Sequence, residues 1–245
     1  MELLITNMVK RTKQEIEHFS NLDHIWWGTK TDAGQKRYDI KSQMFRKYCH
    51  PKKGELVLEI GCGDGEFTKR IADGKLKIIA TDVTPTVVSR AKSSLKLPGV
   101  EFTVKNAEKL DFEDNLIDIV CGVSILHHLN TEKTLREAYR VLKPDGRLFF
   151  TEPNLINPLV FLGLNLYYLR KKMEFSPDET ALLRWNLSSM LKKIGFRKVV
   201  VKNYDFLFPL IPSSWIKMVG QLSNILEIVP VVKEISGSLL IYAVK

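Results

Sequence analysis

Apolar positions follow two alternating patterns between residues 55 and 152. Short apolar runs bounded by turn residues predict buried strands, and helical patterns lie between several of them. The predicted strands are Leu56–Ile60, Lys77–Thr81, Val100–Val104, Ile117–Cys121 and Arg147–Thr151, and the predicted helices are Glu66–Ala72, Thr86–Leu95 and Thr131–Leu142. This alternation favours an α/β fold in which right-handed crossovers join parallel strands into a doubly wound sheet.

The flanking segments carry further helical and β patterns. We predict helices over residues 8–20 and 33–48, the second ended by Pro51, and a helix over 180–194 closed by Gly195. Strands are predicted at Arg197–Tyr204 and Leu239–Val244. The chain therefore divides into an N-terminal helical arm or lid, residues 1–54, and a main domain, residues 55–245, with apolar inserts at 155–175 and 205–237.

The first insert contains a continuous apolar run over residues 155–169, followed by three basic residues. A helix of this length, at about 1.5 Å per residue, is too short for a bilayer core of about 30 Å, and Pro158 interrupts it. We therefore do not expect a transmembrane helix. A buried segment is the first interpretation, and a cap over a membrane surface or a hydrophobic substrate is the alternative.

A glycine-rich turn follows the first predicted strand. Three glycines fall within five residues, Gly61 to Gly65, and they allow the backbone to turn sharply and to approach a ligand closely. The spacing differs from the dinucleotide fingerprint, because Glu66 stands where the third glycine is required. Glu59, just before the turn, would repel a pyrophosphate and suits a cationic or amino-bearing ligand.

Polar side chains follow the next strands. Asp82 ends the second strand, where a carboxylate can accept hydrogen bonds from both ribose hydroxyls. Asn106 follows the third strand, where an amide can bind an adenine edge. His127 and His128 lie in the loop after the fourth. Since ligands of open parallel sheets bind outside the carboxyl ends of the strands, these groups are expected to share one site.

Five segments in this order resemble the class I S-adenosylmethionine-dependent methyltransferases over about residues 55–152. They are VLEIGCGDGEF, TDVTP, NAEKL, DIVCGVSILHHL and LREAYRVLKPDGRLFFTEPN. The resemblance implies a Rossmann-like sheet of seven strands, ordered 3-2-1-4-5-7-6 with the last strand antiparallel and helices on its flanks. It also implies S-adenosyl-L-methionine as cofactor.

The resemblance assigns several residues to the cofactor. Gly61 and Gly63 would lie beside the methionine part, Asp82 on the ribose, and Asn106 with Ala107 near the adenine, although many relatives have Asp at the position of Asn106. Glu59 would orient the turn or meet the amino group indirectly. The full implied set is Glu59, Gly61, Cys62, Gly63, Asp82, Val83, Asn106, Ala107 and Cys121.

The implied reaction is in-line methyl transfer to a nucleophile, achieved mainly by positioning. His127 or His128 is a candidate base. The segment ILHHLNTEK is similar to the corresponding loop of phosphoethanolamine methyltransferases, where a histidine at the position of His127 takes part in catalysis. Alternatively, both histidines only pack or cap the next helix, with Asn130 or Thr131 as its N-cap.

The net charge of +9 comes from the flanks of the chain. Residues 1–55 contain 11 basic and 7 acidic residues, and residues 170–245 contain 12 and 6. This excess indicates either a solvated basic surface or attraction to an anionic substrate or membrane surface. With the apolar inserts it favours a small-molecule acceptor that is hydrophobic or amphiphilic, with an anionic portion. Trp26 and Trp27 either attach the arm to the domain or line a lid over this substrate.

Other partners are less consistent with the sequence. Nucleic acid is not expected, because no added nucleic-acid-binding domain is recognisable, and no obligate protein partner is evident. The alternatives to a small-molecule methyltransferase are an RNA methyltransferase and a non-catalytic S-adenosylmethionine-binding regulator. Three scattered cysteines argue against disulfides and a zinc site, and no metal is expected. With no signal-peptide pattern, a cytoplasmic location is expected, with peripheral contact at the inner face of the membrane as an alternative.

Overall fold

The computed structural model describes residues 16–17, 29–172 and 180–245. A sheet of seven strands forms its centre. The strands are β1 (Leu56–Ile60), β2 (Lys77–Asp82), β3 (Val100–Val104), β4 (Ile117–Val123), β5 (Leu142–Pro153), β6 (Arg197–Tyr204) and β7 (Ser238–Val244). The helices, numbered from residue 29 onward, are α1 (Asp32–Cys49), α2 (Thr68–Ile71), α3 (Pro85–Ser94), α4 (Thr131–Val141), α5 (Pro158–Asn165), α6 (Tyr167–Lys172), α7 (Arg184–Ile194) and α8 (Ile216–Leu226).

The strand order across the sheet is β3-β2-β1-β4-β5-β7-β6. Strands β1 to β5 pair in parallel, and β7 runs antiparallel to both of its neighbours, β5 and β6. The predicted fold class is therefore confirmed, including the antiparallel last strand. This topology brings the carboxyl ends of β1, β2, β4 and β5 to one edge of the sheet, which is where a ligand of such a fold binds.

Helices cover both faces of the sheet, and each face has its own apolar core. One core includes Leu135 of α4 and Leu191 of α7, packed on β4, β5 and β7. The other includes Phe45 of α1, Ile71 of α2 and Val88 of α3. The central strands β1 and β4 are buried on both faces along most of their length, so their sequences are largely apolar without strict alternation. The edge strand β3 is less buried and carries the exposed Glu101.

Helix α1 is anchored on the sheet by aromatic packing. The fully buried ring of Phe45 meets the ring of Phe67 edge-on at 5.9 Å between centroids and that of Phe149 at 5.6 Å. Thr31 caps the start of the helix by accepting a hydrogen bond from the backbone N–H of Gly34 at 3.0 Å. His50, in the left-handed conformation, ends it, close to the predicted boundary before Pro51. This packing fixes the face of α1 that is turned toward the carboxyl edge of the sheet.

Some predicted boundaries differ from the structure. The helix predicted from residue 180 begins at Arg184. Residue 182 is extended instead, because the N–H of Leu182 donates to the backbone oxygen of Pro153 and its backbone oxygen accepts from Leu155 N. The helix predicted over Glu66–Ala72 is a single turn. The strand predicted at Arg147–Thr151 is longer, because β5 begins at Leu142 and includes a bulge with Asp145 at φ 62°. Gly195 ends α7 at φ 117°, as predicted.

The apolar inserts are exposed, and the burial predicted for residues 155–169 is wrong. In α5 and α6 the side chains of Phe161, Tyr167 and Tyr168 are 51, 82 and 72% exposed. A segment that is apolar on all sides has no period from which a buried face could be inferred. None of the helices in the described ranges combines the length and the hydropathy that a membrane crossing needs. Of the helix predicted over residues 8–20, Ile16 and Glu17 are helical, and the remaining residues lie outside the described ranges.

Glu59 is a buried carboxyl group at the end of β1. Its Oε2 accepts a hydrogen bond from Thr68 Oγ1 at 2.7 Å, and its backbone oxygen accepts one from Thr81 Oγ1, also at 2.7 Å. Burial raises the pKa of Glu59 to about 7, against the opposing effect of the Thr68 hydrogen bond. These contacts join β1 to α2 and β2 on either side of the glycine turn.

Replacing Glu59 with Gln should make stability less dependent on pH. In the folded state the pKa of Glu59 is raised from 4.5 to about 7, so between these pH values the folded protein retains a proton that the unfolded chain releases. Ionisation of Glu59 therefore lowers the free energy of unfolding as pH rises from about 4.5 to about 7. Gln can still accept the Thr68 hydrogen bond but does not ionise. The free energy of unfolding of Glu59→Gln, relative to that of the unmodified protein, should therefore increase by on the order of 2 kcal/mol from pH 5 to pH 8. Urea unfolding at the two pH values measures this change.

The exposed Glu101, on the edge strand β3, provides the control for this measurement. Glu101→Gln should shift the free energy of unfolding by a similar small amount at both pH values. An equal effect of Glu59→Gln at pH 5 and pH 8 would contradict the burial argument.

Candidate active site

A cavity of about 420 Å³ runs along the carboxyl edge of the sheet. Its first side is formed by the glycine turn after β1 and by the loops after β2, β3 and β4. Its second side is formed by α1, α5 and the segment that follows β6. The cavity is therefore bounded by the predicted polar residues on one side and by the arm and the two inserts on the other.

The glycine turn presents bare backbone to the cavity. Gly61, Gly63 and Gly65 have φ values of 71°, 51° and 81°, which L side chains rarely adopt. A Cβ on Gly61 would lie 2.4 Å from Cγ1 of Ile125, so no larger residue fits there. A Cβ on Gly63 would meet no atom within 4 Å, since Gly63 faces the open cavity. This concave backbone can hold a ligand in close contact.

Asp82 joins the end of β2 to the glycine turn. Its Oδ1 accepts a hydrogen bond from Thr84 N at 2.9 Å, and its Oδ2 accepts one from Gly63 N at 3.2 Å. Burial raises the pKa of Asp82, and the two backbone donors oppose this effect. Each carboxylate oxygen retains lone pairs for ligand hydroxyls, since a carboxylate offers about four acceptor sites.

The other predicted ligand contacts on this side also lie at the cavity. Val83, Asn106 and Ala107 line it, and Oδ1 of Asn106 accepts a hydrogen bond from Glu108 N at 2.8 Å. The remaining lone pair of this oxygen, or the amide N–H₂ group, can meet the edge of a flat ring. Cys62 also lines the cavity, although its side chain is almost fully buried.

Two residues of the implied cofactor set do not reach the cavity. Glu59 and Cys121 are 1% and 0% exposed and do not line it. Cys121 lies in the core beneath α1, so its placement does not support direct ligand contact. Glu59 instead accepts a hydrogen bond from Thr68, just beyond the glycine turn. Trp26 and Trp27, the predicted substrate residues, lie outside the described residues.

The carboxylate of Glu152 holds the loop after β4 in place. This residue was not among those predicted for the site. Its Oε1 accepts hydrogen bonds from Ile125 N and Leu126 N, both at 3.0 Å. Its Oε2 lies 2.7 Å from Nδ1 of His127, and both side chains are almost fully buried. If Nδ1 donates to Glu152, the acceptor lone pair of the neutral imidazole is on Nε2. Glu152 could have been suspected because it is an acid at the end of a strand, as Glu59 and Asp82 are.

His128 also lies at the cavity, beside His127. The two ring centroids are 4.0 Å apart, and both side chains line the cavity. The following helix, α4, is capped by Asn130, whose side chain accepts a hydrogen bond from Lys133 N at 3.1 Å. The cap therefore belongs to Asn130, one of the two residues proposed for it, and neither histidine is needed for that purpose.

A charged cluster on α1 forms part of the second side. Nε of Arg37 donates to Oδ2 of Asp205 at 2.6 Å, and its Nη2 donates to Ser238 Oγ at 3.2 Å. Lys41, one helical turn later, is only 6% exposed, and its Nζ lies 5.0 Å from the ring centroid of Tyr38. Burial, and to a smaller extent the positive charge of Arg37, lowers the pKa of Lys41 to about 7. The spacing 37, 38 and 41 places these side chains on one face of the helix.

Apolar side chains complete this side of the cavity. They come from α5 and from the segment after β6, and they are Leu159, Val160, Phe206, Leu207, Phe208 and Pro209. The cavity thus combines a backbone cradle and an acid, suited to a ribose and an amino acid moiety, with an apolar wall opposite. This composition fits S-adenosyl-L-methionine on the first side and leaves room for a second reactant.

Comparisons with known proteins agree with this composition. Residues 58–150 match the family model described as a methyltransferase domain. The ubiquinone/menaquinone biosynthesis C-methyltransferase UbiE of Escherichia fergusonii is 34% identical over 177 residues, which cover 60% of this chain and 68% of that protein.

Solved structures share the fold. A S-adenosylmethionine-dependent methyltransferase of Thermotoga maritima, described as a possible histamine N-methyltransferase, superposes with a TM-score of 0.65 at 22% identity, over 94% of this chain and 99% of that one. Phosphoethanolamine N-methyltransferase 2 of Haemonchus contortus in complex with S-adenosyl-L-methionine gives a TM-score of 0.63 at 20% identity, over 88% and 57%.

The identity to UbiE, the methyltransferase domain and the strand order lead to the same assignment. The chain belongs to the class I S-adenosylmethionine-dependent methyltransferase family, and S-adenosyl-L-methionine is its cofactor.

Proposed function

We propose that this enzyme methylates a hydrophobic or amphiphilic small molecule. The observation that carries the proposal is the cavity itself, which continues from the glycine turn to an apolar wall formed by both inserts. The wall places apolar side chains such as Leu159 and Phe208 opposite the cofactor side. A relative named for a C-methyltransferase step of ubiquinone and menaquinone biosynthesis supports an acceptor of similar hydrophobic character.

The first side of the cavity holds the cofactor in this proposal. The cofactor supplies a methyl group on a sulfonium, which is already activated for transfer. Asp82 accepts hydrogen bonds from the ribose hydroxyls, and the backbone of Gly61 and Gly63 lies against the methionine part. Asn106 meets the adenine edge, between Val83 and Ala107. The contribution of the protein is then chiefly orientation of the two reactants and exclusion of water.

His127 serves as the base in this proposal, and Glu152 positions it. The Glu152 carboxylate accepts a hydrogen bond from Nδ1–H of His127, which puts the basic lone pair on Nε2. The carboxylate also stabilises the imidazolium that forms when Nε2 takes a proton from the acceptor. The two backbone N–H groups that donate to Glu152 prevent this carboxylate from turning away. His128 packs against the ring of His127 and restricts its rotation.

A matched pair of acceptors tests the substrate class. With a hydroquinone carrying an octyl chain, kcat/KM for release of S-adenosylhomocysteine should be at least about 10-fold higher than with the unsubstituted hydroquinone, because each buried CH₂ contributes about 0.8 kcal/mol. Leu159→Asp, on the cavity wall, should reduce this preference. Leu166→Asp, on the same insert but away from the cavity, should not.

Asp82→Ala is the control for a signal that does not depend on the cofactor. This variant should bind S-adenosylmethionine more weakly in calorimetry and release less S-adenosylhomocysteine with either acceptor. Equal or better turnover of a small polar acceptor, such as phosphoethanolamine, would overturn the hydrophobic-acceptor proposal.

Removing the base should affect turnover and leave cofactor binding unchanged. His127→Ala should lower kcat by about 10²-fold or more, with an unaltered calorimetric affinity for S-adenosylhomocysteine. Glu152→Gln is the sharper variant, because a Gln N–H₂ group donating to Nδ1 would move the imidazole proton to Nε2 and remove the basic lone pair. It should lower kcat to a similar extent.

His50→Ala, at an exposed histidine after α1, is the matched control and should retain full activity. Unchanged turnover of His127→Ala would show that this histidine is structural.

We also propose that the enzyme takes its acceptor from an anionic membrane surface. Among the described residues, 15 of the 18 large apolar side chains that are exposed belong to the two inserts. The inserts meet at the cavity, where Nδ2 of Asn157 donates to the backbone oxygen of Ile235 at 2.7 Å. Residues 155–172 contain three basic and no acidic residues. Exposed apolar side chains beside basic groups are suited to anionic lipid headgroups.

Sedimentation with vesicles tests the membrane proposal. The protein should bind phosphatidylglycerol vesicles at least about 10-fold more tightly than phosphatidylcholine vesicles, since each basic residue near an anionic surface contributes about 1 kcal/mol. The double variant Phe161→Asp, Ile225→Asp, with one change in each insert, should lose this binding. Val104→Asp, at an exposed apolar residue on the opposite edge strand, is the control. A vesicle affinity that changes neither with the lipid charge nor with the insert substitutions would contradict the proposal.

A further inference from the structure

Lys41 is a buried cation at the cavity whose charge is not neutralised by a hydrogen-bonded partner. It is 6% exposed and lines the cavity from α1. In the part of the chain that the structure describes, its ammonium forms no ion pair or hydrogen bond, and lies 5.0 Å from the ring centroid of Tyr38. A buried cation without such a partner is costly, and the cost is recovered when an anion binds to it.

The charged groups around Lys41 are already engaged elsewhere. Asp205 is the ion-pair partner of Arg37 at 2.6 Å, and its Oδ1 accepts a hydrogen bond from Leu207 N. Glu152 accepts two backbone N–H groups and faces Nδ1 of His127. Both acids interact with Lys41 only over a longer distance, through their charge. Arg37 also lines the cavity, but Asp205 and Ser238 engage its guanidinium. Lys41 is therefore the cation of this cluster whose charge is left for a ligand.

The position of Lys41 points to the acceptor side of the cavity. Arg37 precedes Lys41 by one helical turn on α1, and its contacts with Asp205 and Ser238 turn this face of the helix toward the segment after β6. That segment contributes Leu207 and Phe208 to the apolar wall of the cavity that Lys41 also lines. Lys41 therefore lies on the side of the cavity that carries the apolar wall.

We propose that Lys41 binds an anionic oxygen group, a carboxylate or a phosphate, of the amphiphilic acceptor. The inference rests on the proposed function for the existence of that acceptor. An anion at Lys41 places the polar end of the acceptor near His127, with its apolar part along Leu159 and Phe208. The carboxylate of the methionine moiety of the cofactor has the same chemistry and is the alternative source of the anion.

Calorimetry on the 245-residue chain tests the anion site without requiring turnover. The protein is saturated with S-adenosylhomocysteine and titrated with dodecanoate, and with 1-dodecanol as a neutral probe of the same length. Lys41→Met should weaken dodecanoate binding at least 10-fold and leave dodecanol binding unchanged. Lys41→Arg should keep dodecanoate binding within a few-fold. Lys36→Met, at an exposed lysine on the same helix, should change neither.

A second pair of ligands identifies the source of the anion. If Lys41 binds the cofactor carboxylate, Lys41→Met weakens the affinity for S-adenosylhomocysteine but not for methylthioadenosine, which lacks that carboxylate. If it binds the acceptor, both affinities stay unchanged while dodecanoate binding falls. Either result supports an anion site at Lys41. Weaker binding of S-adenosylhomocysteine alone would assign that site to the cofactor carboxylate and not to the acceptor.

The pH dependence gives an independent readout. Dodecanoate binding by the unmodified protein should weaken as pH rises above about 7, where Lys41 loses its proton, in the field of Arg37, Tyr38, Asp205 and Glu152. Lys41→Arg should remove this dependence. Circular dichroism melts establish that the variants fold, with Lys41→Gln as the substitute if Lys41→Met does not.

Unchanged binding of dodecanoate and of S-adenosylhomocysteine in the folded Lys41 variant overturns the anion site. A lack of turnover with hydrophobic acceptors, by contrast, affects only the proposed function, because the calorimetric comparison of Lys41 variants does not depend on it.

Discussion

The Glu152 carboxylate is the interaction on which the geometry of the site depends. Its two oxygens engage Ile125 N, Leu126 N and Nδ1 of His127. The side chain of Ile125 in turn lies so close to Gly61 that a Cβ there would be 2.4 Å from it. One buried acid at the end of β5 therefore sets the loop after β4, the orientation of the candidate base and the wall against which the glycine turn packs. Without it, buried N–H groups would be left unpaired at about 1–3 kcal/mol each.

The other acids around the cavity are stabilised in the same way, by a specific partner and not by solvent. Thr68 donates to Glu59, backbone N–H groups donate to Asp82, and Arg37 pairs with Asp205. Burial of these carboxyls is costly, and the fixed donors offset part of the cost. Because their positions are fixed before any ligand binds, little reorganisation is needed when a charged ligand enters, which is the condition for strong electrostatic stabilisation in a closed site.

Sequence reasoning succeeded for features of the fold that a local pattern encodes. The apolar runs, the glycine turn and the acid at Asp82 lie within short segments whose spacing alone predicts the sheet edge. Glu152 and His127 are 25 residues apart and meet only because β4 and β5 are neighbours. Arg37 and Asp205 are 168 residues apart, and no local pattern links them.

Other differences also have a tertiary cause. Leu182 leaves the predicted helix because it pairs with the chain beyond β5. Cys121 lies in the core beneath α1, a consequence of packing that a motif match does not report. Which side of an apolar run faces solvent was equally outside the reach of the sequence, since residues 155–169 offer no polar face to compare.

The exposure of the inserts and the composition of the cavity are two aspects of one arrangement. Exposed apolar surface favours association, so a folded chain rarely keeps so much of it in one place unless something covers it. Here that surface borders the cavity wall, because Leu159 lines the cavity while Phe161 faces outward on the same helix. An amphiphile that moved from a membrane along this helix would keep its apolar part out of water, where each CH₂ would cost about 0.8 kcal/mol. The same geometry would bring its polar end to Lys41 and His127, so an apolar exterior and a charged interior are compatible with one substrate.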